Sequence, residues 1–344
     1  MYKLRISTLQ KKLKEEKLDA VLVSSVSNIT YLSGYANFSE KEREAYIFIG
    51  ADFAYLISDA RYMEEIKSNV PHLTFFERSH KNPIADLFKK HKIKNLGIEE
   101  NNLTVSEFKL IKRHFKNLKH FEISRSIKTK KEIDKIEKAC KIGDMAFEYI
   151  LKKFKAGVTE KEIAKDMENL VRDRSAEFSF PAIVAFGKNS AVPHHHTGET
   201  VLNENEFVLL DFGVKFENYC SDMTRTFFFG KPNKKQKNMY QAVLKAQQKA
   251  VEAIEQGERK VAKIFKAAGL AIPHSLGHGI GLEVHEAPHI SPKSKEILKE
   301  GMVFSIEPGI YIPNFGGVRI EDLFVLEKNS LRKLTHASVE PKII

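Results

Sequence analysis

The segment FVLLDFGV (207–214) sets an aspartate, Asp211, inside a run of Phe, Val and Leu. A carboxylate buried alone either costs several kcal/mol or gives up its charge, so it calls for a cation or a proton. A second apolar strand, in SDMTRTFFF, opens with Asp222, and the intervening VKFENYCS is long enough for a hairpin that sets the two acids side by side. Two carboxylates in one place repel unless one is protonated or a metal lies between them. Each aspartate alone is equally compatible with a turn. The pair, on adjoining apolar strands, favours a metal.

The same conflict recurs downstream. SIEPGIY places Glu307 at the end of the apolar run Val303–Ile306, and VRIEDLFVL embeds Glu321 among Val, Ile, Leu and Phe. Polar residues that break an apolar pattern without local compensation are expected at functional positions. Glu321 has a second reading, an ion pair with Arg319 two residues earlier on the same strand face. In HSLGHGIGLEVHE (274–286), His278 sits between Gly277 and Gly279, where the backbone admits close approach, and His285 follows. PHHHT adds His194, His195 and His196, three neighbours that cannot all face one site. Most histidines are surface or packing residues, so one or two of these at most are functional.

Four carboxylates and one histidine form a mostly hard-oxygen set. It suits Mn²⁺, Co²⁺, Fe²⁺ or Zn²⁺ in a bridged pair better than a cysteine-type zinc site. Only Cys140 and Cys220 are present, with no close pair, so neither a disulfide framework nor a thiolate site is supported. Two ions about 3.5–4 Å apart can hold a bridging hydroxide and polarise a carbonyl.

These residues need two kinds of scaffold. In the first third, apolar runs at Ala20–Val23, Tyr46–Ile49, Ala54–Ile57 and Leu96–Ile98 alternate with helical patterns such as Ile84–Lys90 and Ser106–Phe115, which predicts an α/β domain. Ser24–Asn28 reads as a turn. A long amphipathic helix is predicted over roughly Lys131–Lys153, and the domain boundary is placed just before it, giving domains 1–122 and 123–344. The second domain opens with helices and then turns strand-rich, with runs at Ala182–Phe186, Phe207–Val214, Thr224–Phe229, Val303–Ile306 and Val318–Leu326 and a helix near Asn233–Gln256. That pattern is α+β.

Composition bounds the function classes. With 344 residues, 42% hydrophobic and 29% charged, the chain is globular and long enough for two cores. The Lys- and Glu-rich Met1–Lys17 has helical spacing and no continuous apolar core, and no run approaches a membrane span, so a cytoplasmic protein without membrane attachment is expected. The net charge of +11 is spread over lysines interleaved with glutamates, without the basic and aromatic alternation of a base-stacking surface, which argues against nucleic acid as a partner.

The order Asp, Asp, His, Glu, Glu, carried by DFG, SDMTRT, HSLGHGIGLEVHE, SIEPGIY and GGVRIED, resembles the pita-bread family of prolidase, aminopeptidase P, methionine aminopeptidase and creatinase. NITYLSGY (28–35), ISDARY (57–62) and LGIEEN (96–101) look like its N-terminal creatinase-type domain, so the resemblance covers nearly the whole chain. It implies an α/β creatinase-type domain followed by an α+β pita-bread catalytic domain. It implies that Asp211 binds one metal ion, that Asp222 and Glu321 bridge two, and that His278 and Glu307 complete the other, with Glu307 also shuttling a proton. The two ions would be manganese first, with cobalt, zinc or iron as alternatives. His194 and His285 match the family's histidines that hold substrate and steady the tetrahedral intermediate, and His194 is chosen because it follows AVP. Phe180 matches an aromatic wall on the proline side of the substrate. Arg319 matches a residue that orients a ligand carboxylate. The roles of His195 and His196 stay open, since PHHHTGE departs from the family at that point.

The implied substrate is a proline-containing peptide cut at its Xaa-Pro bond, and the implied assembly is a homodimer. A metal-free creatinase-like hydrolase is disfavoured because all five ligand positions hold competent residues. A methionine aminopeptidase is disfavoured by the N-terminal domain. A non-catalytic interaction protein on the same fold would be expected to have lost ligands, and none is lost. The short Glu307-to-Glu321 interval leans towards a small Xaa-Pro dipeptidase over an aminopeptidase that takes longer peptides.

Overall fold

The structure, a computed structural model, describes residues 1–328 and 330–340. Two units divide the chain, Met1–Ile123 and Ser124–Ile344.

In the first unit the strand Ala20–Val23 is buried along its whole length, and its side chains serve two cores in alternation. Val21 and Val23 join Ile47, Ile49 and Leu56 on one face, while Ala20 and Leu22 join Phe48, Ile57 and Leu96 on the other. This is the period-2 signature of a strand covered on both sides. The sheet has six strands, ordered Thr74–Glu77, Ala54–Ser58, Tyr46–Gly50, Ala20–Val23, Asn95–Ile98 and Asn117–His120. Pairing is parallel at both edges and antiparallel in the middle. The helix Tyr2–Glu15 lays Ile6, Leu9 and Leu13 on one face, and Ile84–His91 lays Leu87 and Phe88 on the other. The α/β expectation therefore stands.

One local expectation fails. Ser24–Asn28 is not a free turn, because the Ser25 hydroxyl accepts from the Asn28 N–H at 3.2 Å and caps a helix, Val26–Ser33. Serine serves turns and helix N-termini by the same hydrogen bond, so the local sequence does not separate the two.

The second unit segregates helices from antiparallel strands. Helices Lys130–Ile150 and Glu160–Arg172 both start with capping boxes, Thr129 with Glu132 and Thr159 with Glu162. They pack Phe147, Ile163 and Met167 against Val208, Leu210 and Phe227 of a three-stranded sheet formed by Ile183–Phe186, Glu206–Phe212 and Met223–Phe229. Helices Lys234–Glu255 and Val261–Ala268 place Ile254 and Ile264 against Ile290, Phe304 and Leu326 of a five-stranded sheet. The architecture is α+β.

The run Val318–Leu326 is not one strand. Gly316–Arg319 pairs with Gly309–Ile312, whereas Asp322–Leu326 pairs with Val303–Ile306. Between them the chain turns towards the other half, where the Glu321 N–H donates to the Thr224 carbonyl at 3.1 Å. Phe207–Val214 likewise stops being a single strand after Phe212. Both interruptions fall beside acids.

Candidate metal centre

Strand register brings the acids together. Asp211 is the cross-strand partner of Thr224, and Asp222 lies two residues before Thr224, so both carboxylates share one face of the hairpin. In the other sheet, Gly279 pairs with Phe304 and Ile306 with Asp322. His278 thus lies beside Ser305, whose hydroxyl accepts from the His278 N–H at 3.1 Å. Glu307 is two residues beyond Ser305, and Glu321 continues the register opposite it. The two sheets are stitched together behind this cluster by Thr224, whose hydroxyl donates to Glu321 Oε2 at 2.7 Å. The glycines flanking His278 are required by close approach. A Cβ on Gly277 would lie 2.0 Å from the Ser305 carbonyl oxygen, and one on Gly279 2.1 Å from that of Ala287.

The cluster is electrostatically incomplete. Asp222 is 4% exposed and Glu321 2%, yet Asp222 Oδ1 and Glu321 Oε1 are buried without a hydrogen-bond partner. Burial first, and then the charges of Glu321, Asp211 and Glu307, hold Asp222 well above the usual carboxylate range. Burial, then Glu307 and Asp211, does the same to Glu321. Burial also raises Glu307, against the pull of Arg319. His278 Nδ1 lies 3.1 Å from the Gly279 carbonyl, so it carries the ring proton and leaves the Nε2 lone pair facing 3.3 Å to Glu307 and 3.6 Å to Asp222. Burial holds this ring below the ordinary histidine value, that is, neutral. A lone pair aimed at carboxylate oxygens is repulsive unless a cation or a proton lies among them. Asp222, His278 and Glu321 offer ligand atoms that all lie within 4.8 Å of one another. The donor set therefore fits divalent metal.

Among the described residues, Arg319 is the one cation built into the cluster's wall. Its Nη2 donates to Asp211, its Nε to Thr224 Oγ1 at 3.0 Å and its Nη1 to the Tyr311 hydroxyl at 2.8 Å. The alternative pairing of Arg319 with Glu321 does not form; Glu321 is reached only through Thr224.

A cavity of about 710 Å³ opens on the cluster. Its lining includes Asp211, Asp222, His278, Glu307 and Glu321, together with Phe180, His194, His285 and Arg319. The His285 ring stands edge-on to His278, with centroids 4.3 Å apart and planes at 78°. Burial, and then His278, keeps His285 below the ordinary histidine value. His195 and His196 are not in the lining. Two residues that the sequence did not single out are close to the centre. His274 lines the cavity, and its Nε2 lies 3.1 Å from the Tyr311 hydroxyl, continuing the chain that runs from Asp211 through Arg319. The spacing of His274 four residues before His278 was the available signal.

The model of metallopeptidase family M24 matches residues 134–328, and that of the creatinase/prolidase N-terminal domain matches residues 5–130. The chain belongs to metallopeptidase family M24. It is thus a hydrolase with the creatinase-type and pita-bread domains of that family, whose chemistry uses divalent metal ions. The Xaa-Pro dipeptidase of Pyrococcus furiosus is 36% identical over 359 residues, covering 98% of this chain and 99% of that one. The solved Xaa-Pro dipeptidase from Bacillus anthracis superposes with a TM-score of 0.91 at 31% identity, covering all of both chains. The X-Pro aminopeptidase from Thermotoga maritima gives 0.82 at 33% identity over 95% of this chain and 98% of that one. As a further constraint on this M24 chain, no helix among the described residues is long and apolar enough to cross a membrane.

Proposed function

We propose that this M24 enzyme hydrolyses Xaa-Pro dipeptides, with two divalent ions, manganese first, held by Asp211, Asp222, His278, Glu307 and Glu321. The observation that carries the reading is the buried carboxylate cluster around His278 Nε2, with its orphaned oxygens on Asp222 and Glu321. Bound there, the metal pair supplies Lewis acidity and an acidified water at neutral pH.

The remaining work falls to side chains. The nitrogen of an Xaa-Pro bond carries no hydrogen, so it must gain a proton to leave as an amine. In this reading Glu307, whose affinity for a proton is raised by burial, holds that proton and delivers it. His285, kept neutral, and His194 face the cavity as N–H donors towards the oxygen that becomes negative at the tetrahedral stage. The Phe180 ring offers the apolar wall for the pyrrolidine. Arg319 fixes Asp211 and, through Thr224, Glu321.

The dipeptide preference rests on two kinds of support. A relative covering 98% of this chain and a solved structure covering all of it carry the Xaa-Pro dipeptidase name, and a cavity of about 710 Å³ lies within the usual range for a small ligand. Comparing a Xaa-Pro dipeptide with a Xaa-Pro tripeptide and a Xaa-Ala dipeptide tests it. Equal turnover of dipeptide and tripeptide would make this an aminopeptidase. We also place the enzyme in the cytoplasm as a homodimer in which the N-terminal domain limits substrate length, because none of the nine site residues lies in residues 1–122. Light scattering should return twice the 39.3 kDa chain mass; a monomer selective for dipeptides would remove the N-terminal domain from the account.

A further inference from the structure

PHHHT is the one motif whose purpose the reaction leaves unexplained. Burial alternates along it, with His194 and His196 exposed and His195 turned inward. The inward ring meets Glu160, the first residue of helix Glu160–Arg172, whose side chain is 0% exposed. His195 Nε2 lies 2.9 Å from Glu160 Oε2, and the same oxygen accepts from the Gly198 N–H at 3.1 Å. The other oxygen accepts from the Phe186 N–H at 2.9 Å and from Asn189 Nδ2 at 2.8 Å. Four bonds fill the accepting capacity of one carboxylate, and the helix N-terminus favours its charge. Since a carboxylate only accepts, the His195 proton sits on Nε2.

We propose that Glu160 and His195 are positioning residues that hold His194 at the cleft. The segment that carries His194 is fastened at every other point. The Pro193 carbonyl accepts from Arg319 Nη1 at 3.5 Å. Thr197 Oγ1 donates to the Ala182 carbonyl and accepts from the Val184 N–H, both at 2.8 Å. Gly198 and His195 go to Glu160. Between Pro193 and Thr197, the His195 N–H closes a turn onto the Val192 carbonyl at 3.1 Å, and the His195 side chain, adjacent to His194, ties that turn to the helix Glu160–Arg172. Without it, the residue that meets the substrate rides on a turn held by one backbone hydrogen bond and by the flanking anchors at Pro193 and Thr197. The Glu160 carboxylate would at the same time lose one of its four donors while fully buried, which loosens the loop rather than the helix.

The inference rests on the proposed role of His194, so the test carries both residues. H194A, H195A, H195Q and the double variant H194A/H195A are assayed on a Xaa-Pro dipeptide, with metal content and Tm measured for each. Small displacements of catalytic groups cost rate rather than binding, so H195A should lower kcat by about tenfold or more, with KM moving less. In H195Q an amide N–H replaces the imidazole donor, and kcat should return to within about threefold of the parent. In the double variant the loss should equal that of H194A alone, because His195 acts through His194. E160Q strips charge from a buried hub and risks the fold; the His195 variants test the same clamp without doing so. Multiplicative losses in the double variant, or a wild-type kcat in H195A, would overturn the positioning role while leaving His194 in place. A silent H194A would overturn the assignment of His194 itself, and this inference with it.

Discussion

The guanidinium of Arg319 binds Asp211 directly through Nη2 and reaches Glu321 only by way of the Thr224 hydroxyl. Arg319 and Glu321 are two residues apart in the chain, yet the strand ends between them and their side chains diverge to different partners. One planar group thereby orients two acids while leaving Asp222 Oδ1 and Glu321 Oε1 without a hydrogen-bond partner. That division separates orientation of the acids from neutralisation of their charge.

Arg319→Lys keeps the charge and loses the fork. A lysine cannot reach Asp211, Thr224 and Tyr311 together. Metal affinity should fall by about 10–100-fold, the usual cost of removing an outer partner of a ligand. Metal titration of the purified variant reads this directly, and an affinity equal to that of the parent would show that Arg319 does not orient the acids.

On the proposed roles, Glu307→Gln removes a ligand charge and the proton carrier together. Turnover should fall by about 10²-fold or more. His285→Ala should also lower kcat, through a few kcal/mol of lost oxyanion stabilisation. His196, exposed and outside the cavity, should be silent on substitution by Ala. Steady-state kinetics on a Xaa-Pro dipeptide with metal content matched decides all three; near-normal turnover in either of the first two variants would contradict its assigned role.

Much of this centre is legible in sequence because burial conflicts with residue type. Asp211, Asp222, Glu307 and Glu321 each interrupt an apolar strand pattern, and an interior carboxylate demands a partner wherever the chain later goes. What stays hidden is whatever acquires its burial from afar. Glu160 reads as an ordinary acid in the first turn of a helix, and its donors come from residues 186–198. His274 is held by Tyr311 across 37 positions. The switch between sheets at Ile320 and Glu321 is also invisible locally, since Val318–Leu326 is uniformly strand-like and only pairing with two different neighbours splits it.

The raised proton affinities set a pH dependence. Asp222, Glu307 and Glu321 all have folded values above the ordinary carboxylate range. A carboxylate shifted upward stabilises the fold below its ordinary value, and that contribution is lost as pH rises through the folded one. The metal-free protein should therefore lose stability as pH rises above the carboxylate range. Metal binding requires the ionised acids, so the gain in Tm on adding Mn²⁺ should grow from about pH 5 to about pH 8. Thermal denaturation with and without metal across that range checks it; a gain that shrinks with rising pH would contradict the ligand assignment.

The most direct test of the central claim is elemental analysis of the purified protein alongside hydrolysis of a Xaa-Pro dipeptide, before and after chelation. Four acids and one histidine, with Arg319 at Asp211 as their built-in cation, should retain about two divalent ions per chain. Removing them should abolish hydrolysis, and restoring Mn²⁺ should recover it. A metal-free protein that still cleaves the dipeptide at the original rate would contradict the account.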